Sequence, residues 1–333
     1  MEAAIERLAV AEAADMSRAD IMNLLLAKGE LQQGLFEMAR QVRQEAGQAD
    51  VVLRGVIEIS NACHRSCDYC AMRGPNNELN RYTMTADQIL KLAEKIKESG
   101  IGICFLQAGQ NSWNDALIAE VIPVIKHEIG LDVMLCLGER RQEVYDKWVE
   151  LGASAYILKF ETSDATLFNK ITHSQLDNRL QCLDRLRKAG MKFGTGNIVG
   201  IPGQSMESLV DDILLGLKIG PDFISTSPFI PNSNTPLEKF PKGSADMTLN
   251  TMAILRILLK NPLIPSVSAL ETVYPEGQTV GLNAGANVLT INFTPKNNQE
   301  MYKIYSEQRF VVSLDHALRA IERAGLKVRQ GGH

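Results

Sequence analysis

Long apolar runs are missing from this chain. None approaches the ~18 residues that a membrane-crossing helix requires, so no helical anchor is expected. An excess of either charge is missing too: 35 Lys and Arg residues face 39 Asp and Glu residues, interspersed, for a formal net charge of −4. Such a surface offers no basic groove for nucleic acid and no patch for an anionic bilayer. The leading residues carry Glu2, Glu6, Glu12 and Asp15 where a secretory leader would be basic, so a cytoplasmic location is expected. Cysteine is scarce, at six in 333 residues, and does not make a disulfide scaffold. Histidine occurs five times, with no spacing that marks a catalytic set.

What is present is a 45% hydrophobic chain, enough for a substantial core, with its apolar residues in two alternating rhythms. Eight short runs read as strands: 51–59, 103–107, 132–137, 155–160, 192–199, 223–227, 264–268 and 287–291. Between them, sets such as Ile118, Val121, Ile122, Ile125 and Val210, Ile213, Leu214, Leu217 repeat at helical spacing. Strand-then-helix alternation implies parallel strands with right-handed crossovers, and eight units favour an α/β fold that closes as a complete (β/α)8 TIM-type barrel. Residues 1–47 are expected to form an N-terminal helical extension capping the barrel. Residues 48–333 then hold the barrel and a C-terminal helical segment. The proline-rich loop from Pro228 to Met247 is expected on the C-terminal face, where barrels place their chemistry.

Three of the six cysteines fall within eight residues, directly after the first strand: Asn61-Ala-Cys63-His-Arg-Ser-Cys67-Asp-Tyr69-Cys70. Structural zinc usually draws on two short Cys–Cys pairs, and no second pair follows here. Three thiolates suit an iron–sulfur cubane with one iron left open for a substrate or co-substrate. A zinc site completed by His64 or a remote residue, and unligated core cysteines, are the plainer alternatives.

This Cys-x3-Cys-x-Tyr-Cys motif resembles the radical SAM superfamily. The likeness extends through Phe105 to Gly109, Leu137-Gly138-Glu139, Glu161-Thr162, Asn178-Arg179-Leu180, Val199 to Gln204, Pro228 to Pro231 and Asn283 to Asn287. Within the superfamily the chain is similar to the branch of biotin synthase, methylornithine synthase and the [FeFe]-hydrogenase maturase HydE, with HydE nearest. The resemblance spans about residues 18–330 and implies a full barrel with N-terminal helices.

It further implies that Cys63, Cys67 and Cys70 hold a [4Fe–4S] cluster. The open iron would chelate S-adenosylmethionine, and an electron from a donor such as flavodoxin or ferredoxin would cleave it to a 5′-deoxyadenosyl radical. Cofactor contacts carried over by position are Tyr69, Gln107, Ala108, Gly109, Glu161, Arg179, Asn197 and Gly200. Arg179 is expected to pair bidentately with the cofactor carboxylate. Candidate substrate contacts are Met134, Ser227, Ser268, Glu271, Thr290 and Tyr305.

The chain departs from its relatives in several places. Gly109-Gln110 stands where several show Gly-Glu, and Lys159-Phe160-Glu161-Thr162 where HydE relatives commonly carry Arg-His-Glu-Thr. No cysteine follows Cys182, so the accessory cluster of some HydE proteins cannot be built. Cys104 and Cys136 lie two residues from positions that hold the second cluster of biotin synthase, and could face inward. The strand ends read as uncharged, which suits a small neutral or organometallic substrate. The leading expectation is a HydE-like enzyme acting on an iron-bound, cysteine-derived fragment. A methylornithine-type mutase and biotin- or lipoyl-type sulfur insertion are the alternatives.

Overall fold

The computed structural model describes residues 16–304 and 309–329; Tyr305 lies outside the described residues. Helices α1 (Arg18–Leu25) and α2 (Glu30–Glu45) precede strand β1 (Val52–Ser60). Then follow α3 (Ala86–Glu98), β2 (Ile103–Ala108), α4 (Asp115–Pro123), β3 (Asp132–Cys136), α5 (Gln142–Glu150) and β4 (Ala153–Ile157). After these come α6 (Ala165–Thr172), α7 (Leu176–Lys188), β5 (Lys192–Val199), α8 (Met206–Ile219), β6 (Phe223–Pro228) and α9 (Ala245–Leu259). The chain ends with α10 (Gly277–Asn283), β7 (Val288–Asn292), α11 (Lys296–Met301) and α12 (Leu314–Arg323). Among the described residues no helix is long and apolar enough to cross a membrane.

Seven strands form one parallel sheet in the order β6-β5-β4-β3-β2-β1-β7. The eighth expected strand, 264–268, is not a regular strand: its backbone makes isolated bridges and then enters a 3-10 turn, Ser268–Thr272. Those bridges reach both sheet edges. Ile224 N donates to Leu263 O at 3.0 Å, and Ser266 N to Val288 O at 3.0 Å. Two prolines, Pro262 and Pro265, remove the donors that a longer ladder would need.

Side chains alternate across each strand, and both faces of this sheet are covered. Outward residues such as Ile57, Ile59, Cys104, Leu106, Val133 and Leu135 join the large core beneath the helices. Inward residues Val52, Val56, Ile103, Phe105, Met134 and Val288 form a second, apolar cluster. Cys104 and Cys136 therefore part company: Cys104 is in the outer core, whereas Cys136 lines the inner cavity. The expectation that both could face inward is corrected for Cys104, and the two thiols share no site.

The helices start where the sequence caps them. Thr85 and Gln88 form a reciprocal capping box on α3, and Ser205 accepts from Ser208 N at the start of α8. The N-terminal helices dock through polar side chains: Gln32 donates to Asn250 at 2.9 Å, and buried Arg43 donates to the Leu282 and Ala286 carbonyls at 2.6 and 2.7 Å.

Candidate active site

The C-terminal ends of the strands surround a cavity of about 350 Å³. Cys63, Cys67, Tyr69 and Cys70 line one side of it, and all three cysteines are free thiols. The loop that carries them is held by its own polar residues. Arg81 donates to the carbonyls of Asn61, Met72, Arg73 and Asn76 at 2.7–3.0 Å, each a charge-assisted bond worth roughly 1.5–3 kcal/mol. Asn61 adds bonds to Asn80 O and Met301 O, both at 2.8 Å.

Gly109, at the exit of β2, lets this loop press against the sheet. A Cβ there would lie 2.5 Å from Ala62 O and 2.7 Å from Cys63 Cβ. Burial drives the Cys67 thiol up to about 11 and the Cys70 thiol further still, because a lone thiolate is poorly solvated there. Three free thiols on one cavity, two of them resisting ionisation alone, fit a metal cluster whose positive charge offsets the cost of the thiolates.

A charged group lines the same cavity. Glu161 follows β4 with a φ of 64°, left-handed for a residue with a side chain, at a cost of order 1–3 kcal/mol. Its Oε2 is buried without a hydrogen bond, and Lys159 Nζ lies 3.4 Å away. Lys159 Nζ also donates to Ser227 Oγ at 2.9 Å. Arg179 Nε donates to Glu139 Oε1 at 2.7 Å, its Nη1 reaches Lys159 O, and its guanidinium lies over the Phe168 ring. Burial works to lower the Arg179 pKa, but the Glu139 and Glu161 carboxylates overcome it and hold the guanidinium firmly charged. Tyr69, within the cysteine loop, packs with Leu167, Ile171, Ile198, Ile201 and Phe229 into an apolar wall.

The structure brings Cys63, Cys67, Cys70, Tyr69, Gln107, Ala108, Gly109, Glu161, Arg179, Ser227, Ser268 and Thr290 onto this one cavity. Of the other expected residues, Met134 and Glu271 stand elsewhere, while Asn197 and Gly200, expected to act through their backbone, send no side chain into the cavity. Asn197 turns its side chain away to Asp212, 3.0 Å distant, leaving its backbone bridged to Glu161. Gly200 makes the turn after β5 at a φ of 83°, and a Cβ there would meet Gly243 Cα at 2.6 Å. Met134 is fully buried in the inner cluster, with its sulfur 3.2 Å from Arg54 Nη1. Glu271 accepts from Gln278 N at 2.8 Å and faces His316 on α12, so it braces α10 rather than the cavity.

The cavity is also more charged than its strand ends suggest. Arg54, 1% exposed, projects inward from β1 with its Nε and Nη2 unbonded, and burial pulls its pKa down to about 10. Its guanidinium lies 5.5 Å from the Phe223 ring centroid. One layer above, Glu58 accepts both ends of Arg309, at 2.5 and 2.7 Å. Arg54, Glu58 and Val56 share the inward parity of β1, a signal present in the sequence that charge counting overlooked. Glu139 and Arg309 gave no such signal, since both arrive from loops.

A model of the radical SAM superfamily matches residues 57–216. The [FeFe] hydrogenase maturase subunit HydE of Thermotoga maritima is 36% identical over 302 residues, covering 89% of this chain and 86% of that protein. The 3-methylornithine synthase of Methanosarcina barkeri is 28% identical over 87% of this chain and 83% of its own. Among solved structures, methylornithine synthase superposes with a TM-score of 0.86 at 25% identity, covering 98% of each chain.

Proposed function

Since this chain belongs to the radical SAM superfamily and is an enzyme of [4Fe–4S] and S-adenosylmethionine chemistry, we propose that it is a HydE-like maturase acting on a small, anionic organometallic fragment. The observation that carries the reading is the 36% identity to HydE along 89% of the chain. When bound, the cluster supplies the electron that breaks a sulfonium C–S bond and releases a 5′-deoxyadenosyl radical. The chain's own residues hold, orient and keep dry what surrounds that event.

Cys63, Cys67 and Cys70 are the cluster ligands, and Gln107, Ala108 and Gly109 offer backbone to the cofactor's amino-acid end. Glu161, whose buried Oε2 accepts no hydrogen bond within the chain, is the acceptor for a ribose hydroxyl or the cofactor ammonium. Arg179 is the carboxylate partner, and Glu139 keeps it charged and aimed. Tyr69 and its apolar neighbours form the wall for adenine. We read 263–266 as the eighth stave, closing the chamber between β6 and β7.

Arg54 at the chamber floor, with two unbonded guanidinium nitrogens, supports a substrate with negative charge. Ser227, Ser268 and Thr290 complete the polar lining, while Met134 packs in the apolar cluster beside Arg54. The reductant is a small one-electron carrier of the flavodoxin or ferredoxin type. The deciding experiment is anaerobic maturation of the cognate apo-hydrogenase with the companion maturases. Hydrogenase activity should require this protein, and equal activity without it sinks the reading.

A methylornithine-type mutase is the second reading, favoured by the 0.86 TM-score and by Arg54 as an amino-acid carboxylate partner. Lysine left unchanged while deoxyadenosine accumulates removes it.

A further inference from the structure

On the side of the β4–β5 wall that faces away from the cavity, five hydrogen-bond donors converge on the carboxylate of Asp212, a residue of α8 that is 1% exposed. Ser163 contributes its backbone N at 2.6 Å and its Oγ at 2.7 Å, and Thr162 Oγ1 lies at 3.4 Å. Asn197 Nδ2 approaches the other oxygen at 3.0 Å, and Gln204 Nε2 at 3.1 Å. Gln204 extends the brace: its Oε1 accepts from Gly200 N at 2.7 Å, and its Nε2 also reaches Ile198 O.

We propose that Asp212 is a positioning residue for S-adenosylmethionine, clamping the end of β4 to the end of β5 so that Glu161 is held in its left-handed turn and faces the cavity. The inference rests on the reading of Glu161 as a cofactor contact.

Two observations carry it. First, the turn that Asp212 grips begins at the residue after Glu161, and Glu161 is itself bonded across to β5: its N donates to Gly196 O, and Ile198 N donates to its O at 2.8 Å. A residue at a φ of 64° relaxes unless its surroundings over-determine it. Relaxation here would swing the carboxylate out of the chamber and shift Ile198, which also lines it. Second, the clamp is a costly one. Desolvation outweighs all the bonds Asp212 accepts and raises its pKa to about 6. An apolar helix residue would hold α8 on the sheet without that cost, whereas only an acceptor can gather donors from 162, 163, 197 and 204.

The test uses full-length protein with its cluster reconstituted anaerobically. Cofactor affinity is read from the change in the electron paramagnetic resonance signal of the reduced cluster as S-adenosylmethionine is added. Asp212→Asn should weaken affinity about tenfold, the equivalent of one charge-assisted bond, while iron and sulfide per chain stay at wild-type values. In the cofactor-free protein the amides of Glu161 and Ile198 should exchange faster with deuterium. Ser163→Ala and Gln204→Ala should each weaken affinity about threefold, and neither should add to the loss in the Asp212→Asn background.

Wild-type affinity in Asp212→Asn, or an affinity loss that merely tracks loss of cluster, overturns the inference. Should Asp212→Asn fail to fold, the Ser163 and Gln204 variants decide, and no change in either overturns it. Glu161→Gln separates the two layers of the argument. If it leaves affinity untouched, the reading of Glu161 fails; if it alone weakens affinity, the role given to Asp212 fails.

Discussion

Glu58 on β1 and Arg309, in the segment before α12, face each other in a bidentate ion pair with both side chains under 10% exposed, at 4% and 9%. The pair joins the first strand to chain some 250 residues later, with |i−j| of 251, and Arg309 also donates to Gln299 O at 3.1 Å. Tyr302 lies beneath the Arg309 guanidinium, 5.5 Å away, and lines the same cavity. Removing one partner strands the other charge away from water. Arg309→Met should therefore cost about 3–5 kcal/mol, seen as a lower melting temperature, and should open α11, which Arg309 also contacts through Gln299, to limited proteolysis. An unchanged digestion pattern would show that the pair does not hold this segment.

Arg54 presents the opposite case, a buried cation whose bonding is incomplete. A guanidinium pulled down to about 10 from its ordinary range by burial costs the folded state about 3 kcal/mol at neutral pH. Arg54→Met, similar in volume and free of charge, should raise the melting temperature of the substrate-free protein and abolish maturation. A variant that is less stable and still active would refute both halves.

Asp212 gives stability a pH dependence of definite sign. Its folded pKa, raised to about 6 from 3.8, means that the folded state takes up the proton first as acid is added. Its contribution therefore grows more favourable from about pH 7 down to about 4, by on the order of 3 kcal/mol. Urea midpoints across that range, compared between wild type and Asp212→Asn, should differ in slope. Parallel curves would count against the shift.

At the cluster loop, alanine at Cys63, Cys67 or Cys70 should abolish cluster reduction and cofactor cleavage. Gly109→Ala tests the packing behind them. Its new methyl collides with Ala62 O and Cys63 Cβ, so the loop must move, and iron and sulfide bound per chain should fall by more than half. Full cluster content in this variant would show that the loop accommodates the methyl.

Much of this architecture was legible in the sequence because its rules are local. Period-two and period-3.6 patterns located the strands and the helices between them, and the cysteine spacing announced the chemistry. The eighth strand failed because Pro262, just before the expected run, and Pro265 within it remove donors that a ladder would need. Glu271 was misplaced because a carboxylate near a strand end looks alike whether it faces a cavity or caps a short helix. The Glu139–Arg179 and Glu58–Arg309 pairs each join a loop residue to a distant helix or strand, which no local pattern encodes.

The alternation of β1 has one more consequence. Arg54, Val56 and Glu58 face the chamber, whereas Gly55, Ile57 and Ile59 belong to the opposite face, where Ile57 and Ile59 join the helical shell. The two faces can thus evolve on separate clocks. A lineage can rewrite what the chamber accepts by changing single inward residues, leaving untouched the interface that holds the helices on the sheet.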